Sequence, residues 1–260
     1  MKRIQPKKNL GQHFLKDKGI AARIASSLTG EGYTSVLEVG PGKGILTGFL
    51  MQRNFPDFKV VEIDYESVDY LHGCFPEFKN ILTGDFLSMD INRYFNGKLA
   101  IIGNFPYNIS SQILFRSLDY RDKVAEITGM FQKEVAERIC ASAGSKTCGI
   151  LSVLLQAFYN TEYLFTVHEN VFDPPPKVKS AVIRLLRNNV ECLDCDESLF
   201  FKVVKACFNQ RRKMLRNSVK AAFALKNYDL PMLTMRPEQL SVTEFVELTN
   251  WIEANKLLPE

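Results

Sequence analysis

Val36-Leu37-Glu38-Val39-Gly40-Pro41-Gly42-Lys43-Gly44-Ile45-Leu46-Thr47 is the stretch on which the fold of this chain turns. A β-branched and apolar run enters a glycine-rich turn and leaves as a helix, the unit that opens a doubly wound α/β sheet. Glycines at 40, 42 and 44 allow positive φ and let the backbone approach a ligand that a side chain would displace. Their spacing is Gly-x-Gly-x-Gly, not the Gly-x-Gly-x-x-Gly of dinucleotide enzymes, which argues against a dehydrogenase. Glu38 adds a carboxylate on the strand just before the loop. It would repel a pyrophosphate and attract a cationic or amino-acid-bearing ligand.

The next strands extend the same site. Glu62 stands near the end of Val60-Val61-Glu62-Ile63-Asp64, where an acid grips ribose hydroxyls in folds of this kind, with Asp64 as the alternative. After the third strand comes Gly84-Asp85-Phe86, an acid able to accept from an exocyclic amine beside an aromatic able to cover a purine. A glycine turn or a strand-end acid alone is often only that. Three such features on consecutive strands point to a nucleoside carrying positive charge, and S-adenosylmethionine fits better than NAD.

Working outward, strands are expected at Ser35–Val39, 59–63, 80–82, 99–102, 125–131, Tyr159–Val167 and 180–186. Helices are expected at 18–28, 44–52, 110–117, 134–143 and 150–157. Residues 188–198 are polar and aperiodic, a linker. Helical patterns follow at 199–208, 214–225 and Val242–Asn255. The fold class is therefore α/β, a doubly wound sheet with a small C-terminal helical domain. The domains expected are 1–187, binding the cofactor and catalytic, and 188–260, helical and RNA-binding.

Composition sets the outer limits. The chain has 260 residues, 46% hydrophobic and 24% charged, enough for a real core and against disorder. No apolar run approaches the roughly 18 residues of a membrane span, so no membrane partner is expected. The basic N-terminus has no apolar stretch behind it, hence no secretory signal. Six scattered cysteines fit a reducing, cytoplasmic setting. Cys192-x-x-Cys195 lacks a second pair or a nearby histidine, so no metal is expected.

The net charge of +4 is unevenly spread: residues 1–18 carry a net +5, and 205–226 carry seven Lys/Arg and no acid. A solvated face could hold such charge. Its concentration in an otherwise acidic chain points instead to a polyanion. Arg211, Arg212, Lys213 and Arg216 are the candidates for phosphate contact, sequence-blind and salt-sensitive.

The reacting site follows the fourth strand: Gly103-Asn104-Phe105-Pro106-Tyr107. An amide or adenine nitrogen is a weak nucleophile because its lone pair is delocalised. Acceptors around its N–H groups favour a tetrahedral nitrogen, and Asn104 and the Phe105 carbonyl can supply them. Tyr107 offers a stacking face for an extruded base. Phe105 is expected to influence how readily the pocket takes a second methyl.

Asn104-Phe105-Pro106-Tyr107 resembles the motif of methyltransferases acting on amino nitrogens. Further stretches resemble one family, the rRNA adenine N6-dimethyltransferases of the KsgA type. They are Lys7-Lys8-Asn9-Leu10-Gly11-Gln12-His13-Phe14-Leu15, Gln132-Lys133-Glu134-Val135-Ala136-Glu137-Arg138, Phe172-Asp173-Pro174-Pro175-Pro176-Lys177-Val178-Lys179-Ser180-Ala181-Val182, Asn209-Gln210-Arg211-Arg212-Lys213-Met214-Leu215-Arg216-Asn217 and Arg236-Pro237-Glu238-Gln239-Leu240-Ser241.

The resemblance implies a Rossmann-like class I methyltransferase sheet and four methyl transfers from S-adenosylmethionine to two adjacent adenosines. These lie in a hairpin near the 3′ end of small-subunit rRNA, within an immature ribosomal particle. It makes His13, Leu15, Gly40, Glu62, Asp85 and Asn104 cofactor residues, beside the Glu38, Gly42 and Phe86 read from the strands. His13 alone would read as a surface histidine. The reacting base would lie between Asn104, Tyr107 and Phe172. A monomer is expected. The alternatives are a non-catalytic ribosome-assembly factor, a large-subunit rRNA dimethylase, and a small-molecule or DNA methyltransferase.

Overall fold

The computed structural model describes residues 4–257, so Lys2 and Arg3 of the basic N-terminal stretch lie outside the described residues. Two compact units emerge. The first holds residues up to Ala136 together with Asn160–Arg187, and the second holds Glu137–Tyr159 together with residues from Asn188 onward.

In chain order the elements begin β1 (Phe14–Leu15), α1 (Lys18–Ser26), β2 (Ser35–Val39), α2 (Ile45–Met51), β3 (Asp57–Glu62) and α3 (Tyr65–Cys74). They continue with β4 (Ile81–Thr83), β5 (Leu99–Asn104), α4 (Ser110–Asp119), β6 (Val124–Gln132), α5 (Lys133–Ile139) and α6 (Ile150–Gln156). The last are β7 (Tyr159–Val167), β8 (Phe172–Asp173), β9 (Ser180–Arg187), α7 (Glu197–Asn209), α8 (Leu215–Ala222) and α9 (Val242–Asn255).

The first unit is built on a seven-stranded sheet of order β4-β3-β2-β5-β6-β9-β7. β4, β3, β2, β5 and β6 run parallel, and β9 is antiparallel to β6. Every residue of β2 is buried, as are Leu99–Ile102 at the start of β5, because helices cover both faces of such a sheet. The chain leaves β2 toward β3 on one side and returns to β5 on the other. That reversal opens a crevice beyond the carboxyl ends of β2 and β5, where open α/β sheets bind ligands.

The fold class expected from the sequence is the one observed. The elements not foreseen are instructive. Helix α3 buries only Ser67, Val68 and Leu71, too few apolar residues to mark a period. It starts where Asp64 caps the Glu66 N–H. The antiparallel bridge of β1 with β8, Phe14 against Asp173 and Leu15 against Phe172, is two residues long and leaves no local pattern.

The second unit is helical. Asp196 caps α7 by accepting from Leu199 N–H at 2.6 Å, and Ser241 with Glu244 forms a capping box on α9. Phe208 of α7 stacks on Phe245 of α9 at 5.9 Å. The division differs from the 187/188 boundary in one respect. Residues 137–159, carrying α6, belong with the helices: α6 packs with α7 and α9, and Leu151 and Val153–Leu155 are buried. Among the described residues no helix is long and apolar enough to cross a membrane.

Candidate active site

A cleft of about 1250 Å³, part of it open to solvent, lies beyond the carboxyl ends of β2, β3, β4 and β5. Its lining brings together His13, Leu15, Glu38, Gly40, Gly42, Glu62, Asp85, Phe86, Asn104 and Tyr107. They come from five separate parts of the chain, and the crossover topology makes them one wall.

Glu38 is the most buried acid there, 1% exposed, and its Oε2 has no hydrogen-bond partner. Burial pushes its carboxyl up to about 8, the Thr47 hydroxyl pulls back, and the Glu62 charge pushes further upward. Glu62 Oε2 accepts the Gly42 N–H at 3.0 Å and Oε1 accepts the Asp64 N–H at 2.9 Å. Those bonds tie the glycine turn to the end of β3 and leave lone pairs on both oxygens. Burial raises the Glu62 carboxyl as well, against the pull of the Asp64, Gly42 and Ile63 amides.

Asp64, the alternative for a ribose, is not part of the lining. Burial alone would raise its carboxyl, but bonds from Lys7, Gln12 and Ser67 outweigh it and hold the group below the usual value. Asp85 Oδ1 accepts from Leu87 N–H at 2.9 Å, an Asx turn that fixes the acid at the rim, with Phe86 buried beside it. Ile63, 48% exposed and lining the same cleft, was not singled out in the sequence. Its position immediately after Glu62 is the signal that could have found it.

At the end of β5, Asn104 Nδ2 donates to the His13 carbonyl at 2.9 Å, while its Oδ1 accepts no bond among the described residues. The His13 ring lies on Tyr107 at 5.6 Å with 29° between planes, and its Nδ1 donates to the Pro174 carbonyl at 2.8 Å. That bond sets the His13 tautomer, since a carbonyl only accepts. The Tyr107 and Ser180 hydroxyls share a hydrogen bond, and burial raises the phenol above its ordinary value.

Two aromatic residues of the motifs are buried. Phe172 is 1% exposed, paired with Leu15, packed into the apolar core and not part of the cleft lining. The β1–β8 bridge seals it there. The Phe105 ring also turns to the sheet, 5.1 Å from Phe131, over Gly103 and Gly129. It is the main chain of Phe105, tied to the Met130 carbonyl at 3.2 Å, that remains near Asn104.

In the second unit Arg212, Lys213 and Arg216 are exposed, whereas Arg211 is half-buried and bonds the Lys146 carbonyl. Burial first, then Glu197, Asp196 and Asp194, push the Cys195 thiol up to about 11, away from the thiolate a metal needs. Among the described residues no three His, Cys, Asp or Glu side chains are grouped to hold a metal.

A parallel sheet with its crevice at the strand reversal, a glycine turn and an amide motif on the central strands define a Rossmann-like class I methyltransferase. Within that class the chain belongs to the ribosomal RNA adenine dimethylase family, whose sequence profile matches residues 3–254. It is 57% identical over 255 residues to Ribosomal RNA small subunit methyltransferase A of Cytophaga hutchinsonii, covering 97% of this chain and 99% of that one. Among solved structures, a dimethyladenosine transferase from Plasmodium falciparum shares the fold with a TM-score of 0.76 at 24% identity, covering 93% and 98% of the two chains. The 23S rRNA methyltransferase ErmE is similar with a TM-score of 0.67 at 25% identity, covering 92% and 99%.

Proposed function

We propose that this chain transfers methyl groups from S-adenosylmethionine to N6 of two adjacent adenosines near the 3′ end of small-subunit rRNA. The substrate is an immature ribosomal particle, and the product is N6,N6-dimethyladenosine. The reading rests above all on Asn104: a half-buried amide at the strand reversal whose NH2 group is engaged and whose oxygen is left for an incoming N–H. Similarity to relatives named for small-subunit methylation chooses the substrate.

The residues present fit the cofactor. The unpartnered oxygen of buried Glu38 suits an ammonium group, Glu62 suits a ribose diol, and Asp85 with Phe86 suits an adenine. S-adenosylmethionine supplies an electrophilic sulfonium methyl. The protein supplies position and dryness. Asn104 Oδ1 and the Phe105 carbonyl accept the two N6 hydrogens and hold the nitrogen lone pair out of conjugation. Tyr107 carries the base, and the displaced proton passes to solvent. Arg212, Lys213 and Arg216, with Arg211, hold rRNA phosphates without reading sequence. The chain works as a cytoplasmic monomer.

The deciding experiment offers tritiated S-adenosylmethionine and immature small subunits beside naked rRNA, large subunits and duplex DNA, then identifies the labelled nucleosides. Label as N6,N6-dimethyladenosine in small subunits alone is the expected result. Label in large subunits reassigns the substrate. Tight subunit binding with no label makes the chain an assembly factor.

A further inference from the structure

One wall of the cleft is made by residues 9–15 of an arm that runs from Lys7 to Leu15, and the arm is fastened at both ends. At one end Lys7 Nζ lies 2.6 Å from Asp64 Oδ1 and 3.2 Å from Glu66 Oε1. Gln12 Nε2 donates to Asp64 Oδ2 at 3.3 Å, and Gln12 Oε1 accepts the Lys7 N–H at 2.9 Å. The Asp64 side chain is only 2% exposed, and its own N–H is the one that reaches Glu62. At the other end Phe14 and Leu15 pair with Asp173 and Phe172. Between the two fastenings Gly11 passes so close to Asn108 that a Cβ there would clash with its Oδ1.

What the arm presents at its middle is the His13 carbonyl. A carbonyl can only accept, so the Asn104 amide must turn its NH2 group to the arm and keep Oδ1 for the substrate. Without the arm the amide could flip, and a donor would then face the N–H groups it has to accept.

We propose that Lys7, Gln12 and Asp64 form a clamp that positions the arm so that the His13 carbonyl fixes the orientation of Asn104. They are positioning residues, and the inference rests on the methyl-transfer reading for its consequence. The clamp itself stands apart from that reading and is testable without turnover.

Lys7→Met removes the charged partner, and Lys7→Arg keeps it. Asp64 still caps α3 in both variants. In isotope-labelled protein, the Asn104 side-chain amide protons of Lys7→Met should exchange about tenfold faster than in the parent, with tryptic cleavage after Lys8 rising similarly. Lys7→Arg should recover most of the protection. On immature subunits Lys7→Met should lower kcat about tenfold, and should add nothing to the loss in Asn104→Ala. Unchanged Asn104 exchange in Lys7→Met overturns the clamp, as do losses that add in the double variant. Faster exchange in Lys7→Met, with no transfer by the parent to any RNA, keeps the clamp and sinks the methyl-transfer reading.

Discussion

Glu38 enters the folded chain at a cost that depends on pH. Its carboxyl titrates near 4.5 when unfolded and about 8 when buried. Stability from the neutral form is therefore full below the lower value and is lost as pH rises through the upper one. Denaturant midpoints of the ligand-free protein should fall between about pH 5 and pH 8, and Glu38→Gln should flatten that slope. A cationic ligand on the same carboxyl reverses the preference. Titration calorimetry of S-adenosylmethionine at neutral pH, run in buffers of different ionisation enthalpy, should show proton release that Glu38→Gln removes. At Asn104 the expected effect is on rate: Asn104→Ala should lower kcat about 10²–10³-fold while cofactor affinity changes much less.

Most of the sheet was legible because β2, β3 and β5 read as short apolar runs, and the acids of the site sit at or just beyond the carboxyl ends of β2, β3 and β4. What was not legible formed by contact between distant segments. β1 and β8 are two residues each and mark nothing locally, and their pairing is what draws Phe172 into the core. Phe105 is the same kind of case. Its ring lies against Gly129 on the neighbouring strand, where a Cβ would clash with Cε2. No spacing along the sequence reveals that two such residues touch. Gly129→Ala should destabilise the protein by about 1–3 kcal/mol and shift the Phe105 main chain beside Asn104. Phe105→Leu in the same chain should recover part of that loss, a coupling that a double-mutant cycle in urea would measure.

Across the whole molecule, the proposed function has charge separate binding from chemistry. The acids of the cleft belong to the first unit, and the exposed Arg212, Lys213 and Arg216 belong to the second. Reversing Arg212 and Lys213 to Glu should weaken subunit binding and flatten its salt dependence by roughly one unit of slope per lost phosphate contact. S-adenosylmethionine affinity should stay at the parent value. Unchanged subunit binding would return this stretch to an ordinary solvated surface. The arm brings in the order in which the protein is made. His13 is bonded to a carbonyl 161 residues downstream. At ordinary rates of synthesis that partner emerges roughly 10–30 s after His13 does. The arm is thus made well before its partner, and a nascent chain cannot fasten His13 until Pro174 has left the ribosome.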